Sequence, residues 1–251
     1  MLPLWQSYKP LIHKILTLIC VNLFYLPEIS EGVNHLDEDE SRHIIKVLRM
    51  EPGDEFTITN GRGFFYQARI TSIQAKRCAF EIFEKKQDPK KDFSIHIAIA
   101  PTKNIDRIEW FVEKATEIGI DEISFVVCQN SERKTINLER IEKIAISALK
   151  QSQQTWLPKL NGIKPLKEIL QIPSNQKFIG YVDENNPTSL KSIAIPDKNY
   201  LVIIGPEGDF SKEELNNAIE GGFKKISLGD TRLRTETAGL VACHTLQIIN
   251  S

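Results

Sequence analysis

Five consecutive apolar residues, Tyr200-Leu201-Val202-Ile203-Ile204, run directly into Gly205-Pro206-Glu207-Gly208-Asp209-Phe210 and then into Ser211-Lys212-Glu213-Glu214. An apolar run without polar alternation is the pattern of a strand covered on both faces, and such strands belong to parallel sheets with helices on either side. Ser211 with Glu214 three residues later is a capping box, so a helix opens as soon as the loop ends. The flanking chain has the same rhythm. Strands are expected at 95–100, 123–128, 177–182 and 226–228, and helices at 106–118, 137–153, 211–222 and 236–249. This alternation predicts an α/β domain with a mainly parallel sheet.

The chain before it reads differently. A helix is expected over 38–50, with Ile44, Ile45 and Leu48 as its apolar stripe. Arg42, Lys46 and Arg49 follow at i, i+4, i+7. Short alternating strands at 56–59, 65–70 and 78–83 surround the turn Asn60-Gly61-Arg62-Gly63, which predicts a small antiparallel module, a compact barrel. The charged, proline-bearing stretch EKKQDPKKD at 84–92 marks a boundary between domains at 21–86 and 92–251. Residues 1–20 stand outside both. The apolar stretch 11–26 is broken by His13, Lys14 and Asn22, too short and too interrupted for a membrane span, and no A-x-A-like cleavage site follows it. An extension or a misassigned start, with Val21 as an alternative initiation point, is preferred over an export signal.

Composition excludes several classes. The 251 residues carry 32 Lys+Arg against 33 Asp+Glu, a net charge of −1, so the surface is not globally basic, although a local basic patch remains open. Cys20, Cys78, Cys128 and Cys243 form no C-x-x-C pair, and the five histidines have no zinc-ligand spacing. No metal site and no disulfide framework are expected, and a reducing, cytoplasmic setting fits. There is neither a Walker P-loop nor a G-x-G-x-x-G.

Two loops concentrate the chemistry. GPEGDF at 205–210 leaves a buried strand at its carboxyl end, where open α/β sheets bind ligands. Leu228-Gly229-Asp230-Thr231-Arg232-Leu233-Arg234-Thr235-Glu236-Thr237-Ala238-Gly239 also leaves a strand and enters a helix. Thr235 and Glu236 suit any helix start, but Arg232 and Arg234 do not, because cations are disfavoured at that end of the helix dipole. Their placement points to an anionic ligand or to developing negative charge. The Arg42/Lys46/Arg49 face with Arg62, and the polar loop Glu132-Arg133-Lys134, are either phosphate-binding surfaces or solvated ones. Asp183-Glu184 either lines the same cleft or forms a surface loop. Trp110, Trp156 and the lone cysteines read as packing residues.

GPEG at 205–208, LG at 228–229 and LRTETA at 233–238 together resemble the bacterial 16S ribosomal RNA uridine N3-methyltransferases (the RsmE family) of the SPOUT superfamily. ESRHIIKVLRMEPGDEFTITNGRG resembles that family's PUA-like RNA-binding barrel, and EKATEIG at 113–119, SER at 131–133 and the helix ending Gln151-Ser152 also have counterparts. The likeness runs from about Asn22 to the end. Three positions depart from the family pattern: Asp209 replaces a glycine, Arg232 is displaced by one place with Thr231 before it, and Gln154 replaces an arginine.

The resemblance implies a PUA-like β-barrel followed by an α/β SPOUT domain with a trefoil knot, working as a homodimer. It implies transfer of a methyl group from S-adenosyl-L-methionine to N3 of a uridine in 16S rRNA near the decoding centre, on an assembled small ribosomal subunit. Gly205, Pro206, Glu207, Gly208, Leu228, Gly229, Leu233 and Thr235 would hold the cofactor. Arg234, then Arg232, would stabilise charge on the uracil carbonyls, with Glu236 as the nearest candidate base. Arg42, Lys46, Arg49, Arg62 and Arg133 would bind RNA. Neither a metal nor a membrane enters. Two rivals remain: a methyltransferase of the same superfamily acting on another atom or on tRNA, and a non-enzymatic RNA-binding module.

Overall fold

Strand residues of alternating burial and helices capped by Asn, Ser and Asp side chains build two compact units in a computed structural model that describes residues 22–74, 77–181 and 188–251. One unit ends at Pro89 and takes in Gln153–Thr155; the other comprises Lys90–Ser152 and Trp156–Ser251. The N-terminal extension and Asp183-Glu184 lie outside the described residues.

The first unit is a four-stranded sheet in the order β1-β2-β3-β4: β1 (Leu23–Tyr25), β2 (Glu55–Thr59), β3 (Phe64–Gln74) and β4 (Arg77–Gln87). β1 runs parallel to β2, and the other neighbours are antiparallel. One face packs Phe24, Phe56, Ile58, Tyr66, Ala68 and Ile70 into a core. Phe56 stands edge-on to Phe24 and Phe80, with ring centroids 5.3 and 5.7 Å away, the favoured arrangement for ring quadrupoles. β4 continues through Glu84, Lys85, Lys86 and Gln87, residues that composition alone assigns to a linker.

The expected helix over 38–50 is divided. Asp37 caps α1 (Glu38–Arg42) by accepting from the Glu40 N–H at 2.8 Å. The chain then widens into a π-helical turn, His43–Leu48, closed by Arg49 at φ +55°, whose N–H reaches back to the Ile44 carbonyl. The wider turn breaks the α-helical face that would align Arg42, Lys46 and Arg49.

The second unit holds six parallel strands in the order β10-β8-β9-β5-β6-β7. They are β5 (Ser94–Ile99), β6 (Glu122–Val127), β7 (Lys159–Pro165), β8 (Gln176–Gly180), β9 (Asn199–Ile204) and β10 (Lys224–Ile226). The helices are α2 (Ile105–Ile118), α3 (Leu138–Gln151), α4 (Leu166–Leu170), α5 (Leu190–Ile193), α6 (Lys212–Glu220) and α7 (Thr235–Ile249). β9 is buried on both sides, as its sequence requires. Tyr200, Val202 and Ile204 join the core shared with α2, α3 and α7, while Leu201 and Ile203 join the core shared with α4 and α6. Asn104 and Asn137 cap α2 and α3, and Ser211 and Glu214 make both bonds of a capping box on α6. Gly239 lets α7 lie close to its neighbours, since a Cβ there would sit 2.8 Å from the Phe111 ring and 2.9 Å from Ile99.

Candidate active site

The carboxyl ends of three adjacent strands, β10, β8 and β9, open into a cavity of about 660 Å³. That volume suits a cofactor-sized ligand. The cavity is lined by the last strand residue and its successor on each, Gly180 and Tyr181 on β8, Ile204 and Gly205 on β9, and Ile226 and Ser227 on β10, and the first turn of α7 supplies Thr235 and Ala238.

The wall after β9 is held in a demanding conformation. Asp209 donates its N–H to the Pro206 carbonyl at 3.0 Å, closing a turn that leaves Asp209 at φ +60°. Aspartate tolerates this left-handed region better than most residues, and its Oδ1 accepts from the Phe210 N–H at 2.8 Å. The departure from glycine at 209 therefore leaves the backbone as glycine would hold it. Gly205 is needed for a different reason: a Cβ would fall 2.8 Å from the Phe210 ring.

Loops from two more strands brace this wall. Glu207 accepts from the Lys103 N–H at 3.1 Å, and Asn130 donates to the Gly208 and Asp209 carbonyls, each at 3.1 Å. The Arg133 guanidinium donates to the carbonyls of Thr102 (3.0 Å) and Lys103 (2.8 Å). Glu214 accepts from the Gln129 N–H at 2.7 Å.

The second wall follows β10. Ser227 Oγ donates to the Gly229 carbonyl at 2.9 Å, and Gly229 takes φ +140°. Thr235 Oγ1 donates to the Gly205 carbonyl at 3.1 Å, joining the two walls. Arg232 and Arg234 line the cavity and are exposed. Among the described residues, neither guanidinium has a protein hydrogen bond or ion pair.

The expected cofactor residues thus come together. Gly205, Pro206, Glu207, Leu228, Gly229, Leu233 and Thr235 all line one cavity with Arg232 and Arg234. Gly208 sits one step back, against Asn130. Glu236 is not on the lining. It is buried, with Oε1 3.9 Å from Arg107 Nε and Oε2 without a hydrogen-bond partner among the described residues.

The RNA-binding candidates do not form one group. Arg42 is engaged by Glu38 at 3.0 Å and Asp39 at 3.5 Å. Lys46, Arg49 and Arg62 are exposed, and Arg133 belongs to the second unit, where it braces a loop. Tyr181 and Ser227 line the cavity without having been singled out; the sequence places Tyr181 inside the expected strand 177–182, whereas β8 ends at Gly180 and frees it for the cavity. Trp110 is 41% exposed on α2 rather than packed away. Cys78, Cys128 and Cys243 are buried, as expected of packing residues. Among the described residues, no cluster of His, Cys, Asp or Glu could hold a metal ion, and no helix is long and apolar enough to cross a membrane.

Comparison with known proteins fits this geometry. Residues 88–247 match the family model of the RNA methyltransferase domain, and residues 36–83 match that of the RNA methyltransferase PUA domain. Ribosomal RNA small subunit methyltransferase E of Buchnera aphidicola is 33% identical over 220 residues, covering 83% of this chain and 85% of the relative. A Porphyromonas gingivalis structure described as a probable rRNA-methyltransferase superposes with a TM-score of 0.86 at 43% identity, covering 90% of this chain and 98% of that one. Ribosomal RNA small subunit methyltransferase E of Neisseria gonorrhoeae, solved with bound S-adenosyl methionine, superposes with a TM-score of 0.80 at 28% identity, covering 92% and 98%. With both units matched and the relatives covered nearly end to end, the chain belongs to the ribosomal RNA small subunit methyltransferase E family of RNA methyltransferases.

Proposed function

We propose that this protein methylates N3 of a uridine in 16S rRNA near the decoding centre of the small ribosomal subunit, with S-adenosyl-L-methionine as methyl donor. The observation that carries this reading is the cavity in which the 205–209 and 228–235 loops meet two arginines that have no partner among the described residues. The cavity fits the donor chemically. Its walls offer apolar surface from Ile204, Leu228, Leu233 and Ala238 beside backbone edges that Gly205 and Gly229 keep open.

When bound, the cofactor supplies an activated methyl group on a sulfonium. The residues then have three tasks. Gly205, Pro206, Glu207, Leu228, Gly229, Leu233 and Thr235 hold the donor, with Gly208 securing the loop from behind. Arg234, at the mouth of α7, stabilises negative charge on the uracil carbonyl oxygens as the N3 proton leaves, and Arg232 assists. Glu236, turned toward Arg107, anchors the first turn of α7 in this conformation, so a role as base requires its carboxylate to turn toward the cavity. In the first unit Lys46, Arg49 and Arg62 contact phosphates, with Arg42 available once its carboxylates yield. Arg133 acts by bracing the loop at 102–103. The remaining parts of the reading are a PUA-like domain over 21–86, a SPOUT domain with a trefoil knot over 92–251, an extension at 1–20, a homodimer and a cytoplasmic setting.

The test is nucleoside mass spectrometry on small subunits lacking the modification, after incubation with the purified protein and S-adenosylmethionine. New 3-methyluridine in 16S rRNA is the expected result. A different methylated nucleoside would place the chain with enzymes acting on another atom, and no cofactor binding at all would favour a non-enzymatic RNA-binding module.

A further inference from the structure

The sheet of the first unit has a second face, away from its core, and that face carries a cavity of about 220 Å³. Strand register builds it. Leu23, Thr57, Gln67 and Glu84 are partners across all four strands, and Phe65 pairs with Lys86 in the next row on the same side. Leu23 and Thr57 are buried and form the floor. Gln153, held at φ +55°, completes the lining from the segment that joins this unit from the C-terminal side of α3.

Three chemical features converge here. Phe65 is half-buried and contributes an aromatic ring to the wall. Thr57 Oγ1 donates to Gln67 Oε1 at 3.2 Å, which fixes the amide and leaves its NH₂ as the group to be answered. Among the described residues, that NH₂ has no protein partner. Lys86 lies exposed at the rim. A ring to stack on, an amide donor for a carbonyl edge and a nearby cation are the groups by which proteins hold unpaired nucleotides. The cavity is smaller than the roughly 300–1,000 Å³ pockets that take drug-sized ligands, a size suited to one ring system.

We infer that this cavity receives one unpaired nucleobase of the substrate RNA, stacked on Phe65 and bound at a carbonyl edge by the Gln67 amide, with Lys86 at the adjoining phosphate. Uracil, cytosine and guanine carry such a carbonyl, and adenine does not. The inference rests on the RNA-methylating reading and adds a second point of recognition outside the methyl-transfer cavity.

The test uses the full chain and small subunits lacking the modification. Phe65→Leu keeps apolar volume but removes the stacking plane, and Phe65→Tyr restores it. Gln67→Glu keeps the oxygen facing Thr57 and removes the donor. Phe65→Leu and Gln67→Glu are expected to weaken subunit binding by about ten-fold, within the range that losing one stacked base produces, while Phe65→Tyr binds as wild type. Phe65→Leu should leave the salt dependence of binding unchanged, whereas Lys86→Ala should lower its slope by about one. Affinity for S-adenosylmethionine should be the same in every variant. A photoreactive benzoylphenylalanine at position 65 should crosslink to one nucleotide of 16S rRNA. Wild-type affinity in both Phe65→Leu and Gln67→Glu, with no crosslink, would overturn the pocket and leave the methylation reading standing. Failure of the wild-type protein to bind subunits would overturn both.

Discussion

The two ends of the six-stranded sheet treat polar side chains in opposite ways. At the amino end, His96 on β5, Ser124 on β6 and Asn161 on β7 lie across three neighbouring strands. His96 Nε2 and Ser124 Oγ are 2.8 Å apart, and Asn161 Nδ2 donates to Ser124 Oγ at 2.9 Å and to Glu122 Oε1 at 2.7 Å. Lys159 reaches the same carboxylate at 2.9 Å. These side chains answer one another. Buried networks of this kind are stable only when complete, and they fix the register of strands that apolar packing alone would let slip. At the carboxyl end, Arg232 and Arg234 face a cavity with no protein partner among the described residues, and Glu236 Oε2 is unanswered. The first group is answered within the fold, whereas the two arginines of the second line an open cavity.

The sharpest way to break that contrast is Arg234→Ala. Turnover of 3-methyluridine formation should fall by roughly 10²–10³, the loss that follows removal of one preorganised charge-stabilising donor. Cofactor affinity by calorimetry and the unfolding temperature should stay near wild type. Collapse of cofactor binding with unchanged turnover per bound cofactor would move Arg234 from the reacting uracil to the donor site.

The next effect belongs to the amino end and to stability alone. Burial, only partly opposed by Glu122, pushes the His96 pKa down to about 4. In the unfolded chain an ordinary histidine titrates near ~6.5. Between these values the unfolded state binds a proton that the folded state refuses, so stability must fall as pH drops from about 6.5 to about 4. The full effect is on the order of 3 kcal/mol. Denaturant titrations across this range should show the decline in wild type and a flatter profile in His96→Gln, with methylation at neutral pH unchanged. Equal slopes would mean that His96 is protonated in the folded protein.

The smallest effect should come from Asp209→Gly. The backbone at φ +60° suits glycine, and the lost hydrogen bond to the Phe210 N–H is worth about 1 kcal/mol. Thermal unfolding and cofactor affinity should shift little. Asp209→Val should lower both more, because a β-branched residue resists that φ.

Features carried by local pattern were legible in the sequence. β9 announced itself by continuous apolarity, α6 by its capping box, and both cavity walls by their place at strand ends. Features made by distant pairing were not. β7 contains Gly162 and ends at Pro165, and it forms at the sheet edge, where such residues are tolerated. β1 is three residues long and owes its existence to parallel pairing with β2. The π-helical turn at His43–Leu48 has no periodic signature, so the basic residues around it looked better aligned than they are. Glu236 follows Arg234 by two residues, but Arg234 is the extended residue before α7 while Glu236 lies inside its first turn, where its carboxylate is brought to Arg107.

The order of strands also sets a timetable for synthesis. β5 pairs with β9, joining Ser94 to Asn199 across 105 positions, and the cavity takes Thr235 and Ala238 from α7, farther along still. Long-range parallel pairing is slow because chain entropy is lost before contacts repay it. A ribosome making this protein therefore releases β5 long before its central neighbour exists. The nascent chain can complete the cavity at the ends of β10, β8 and β9 only after the first turn of α7 has emerged, since Thr235 and Ala238 line it.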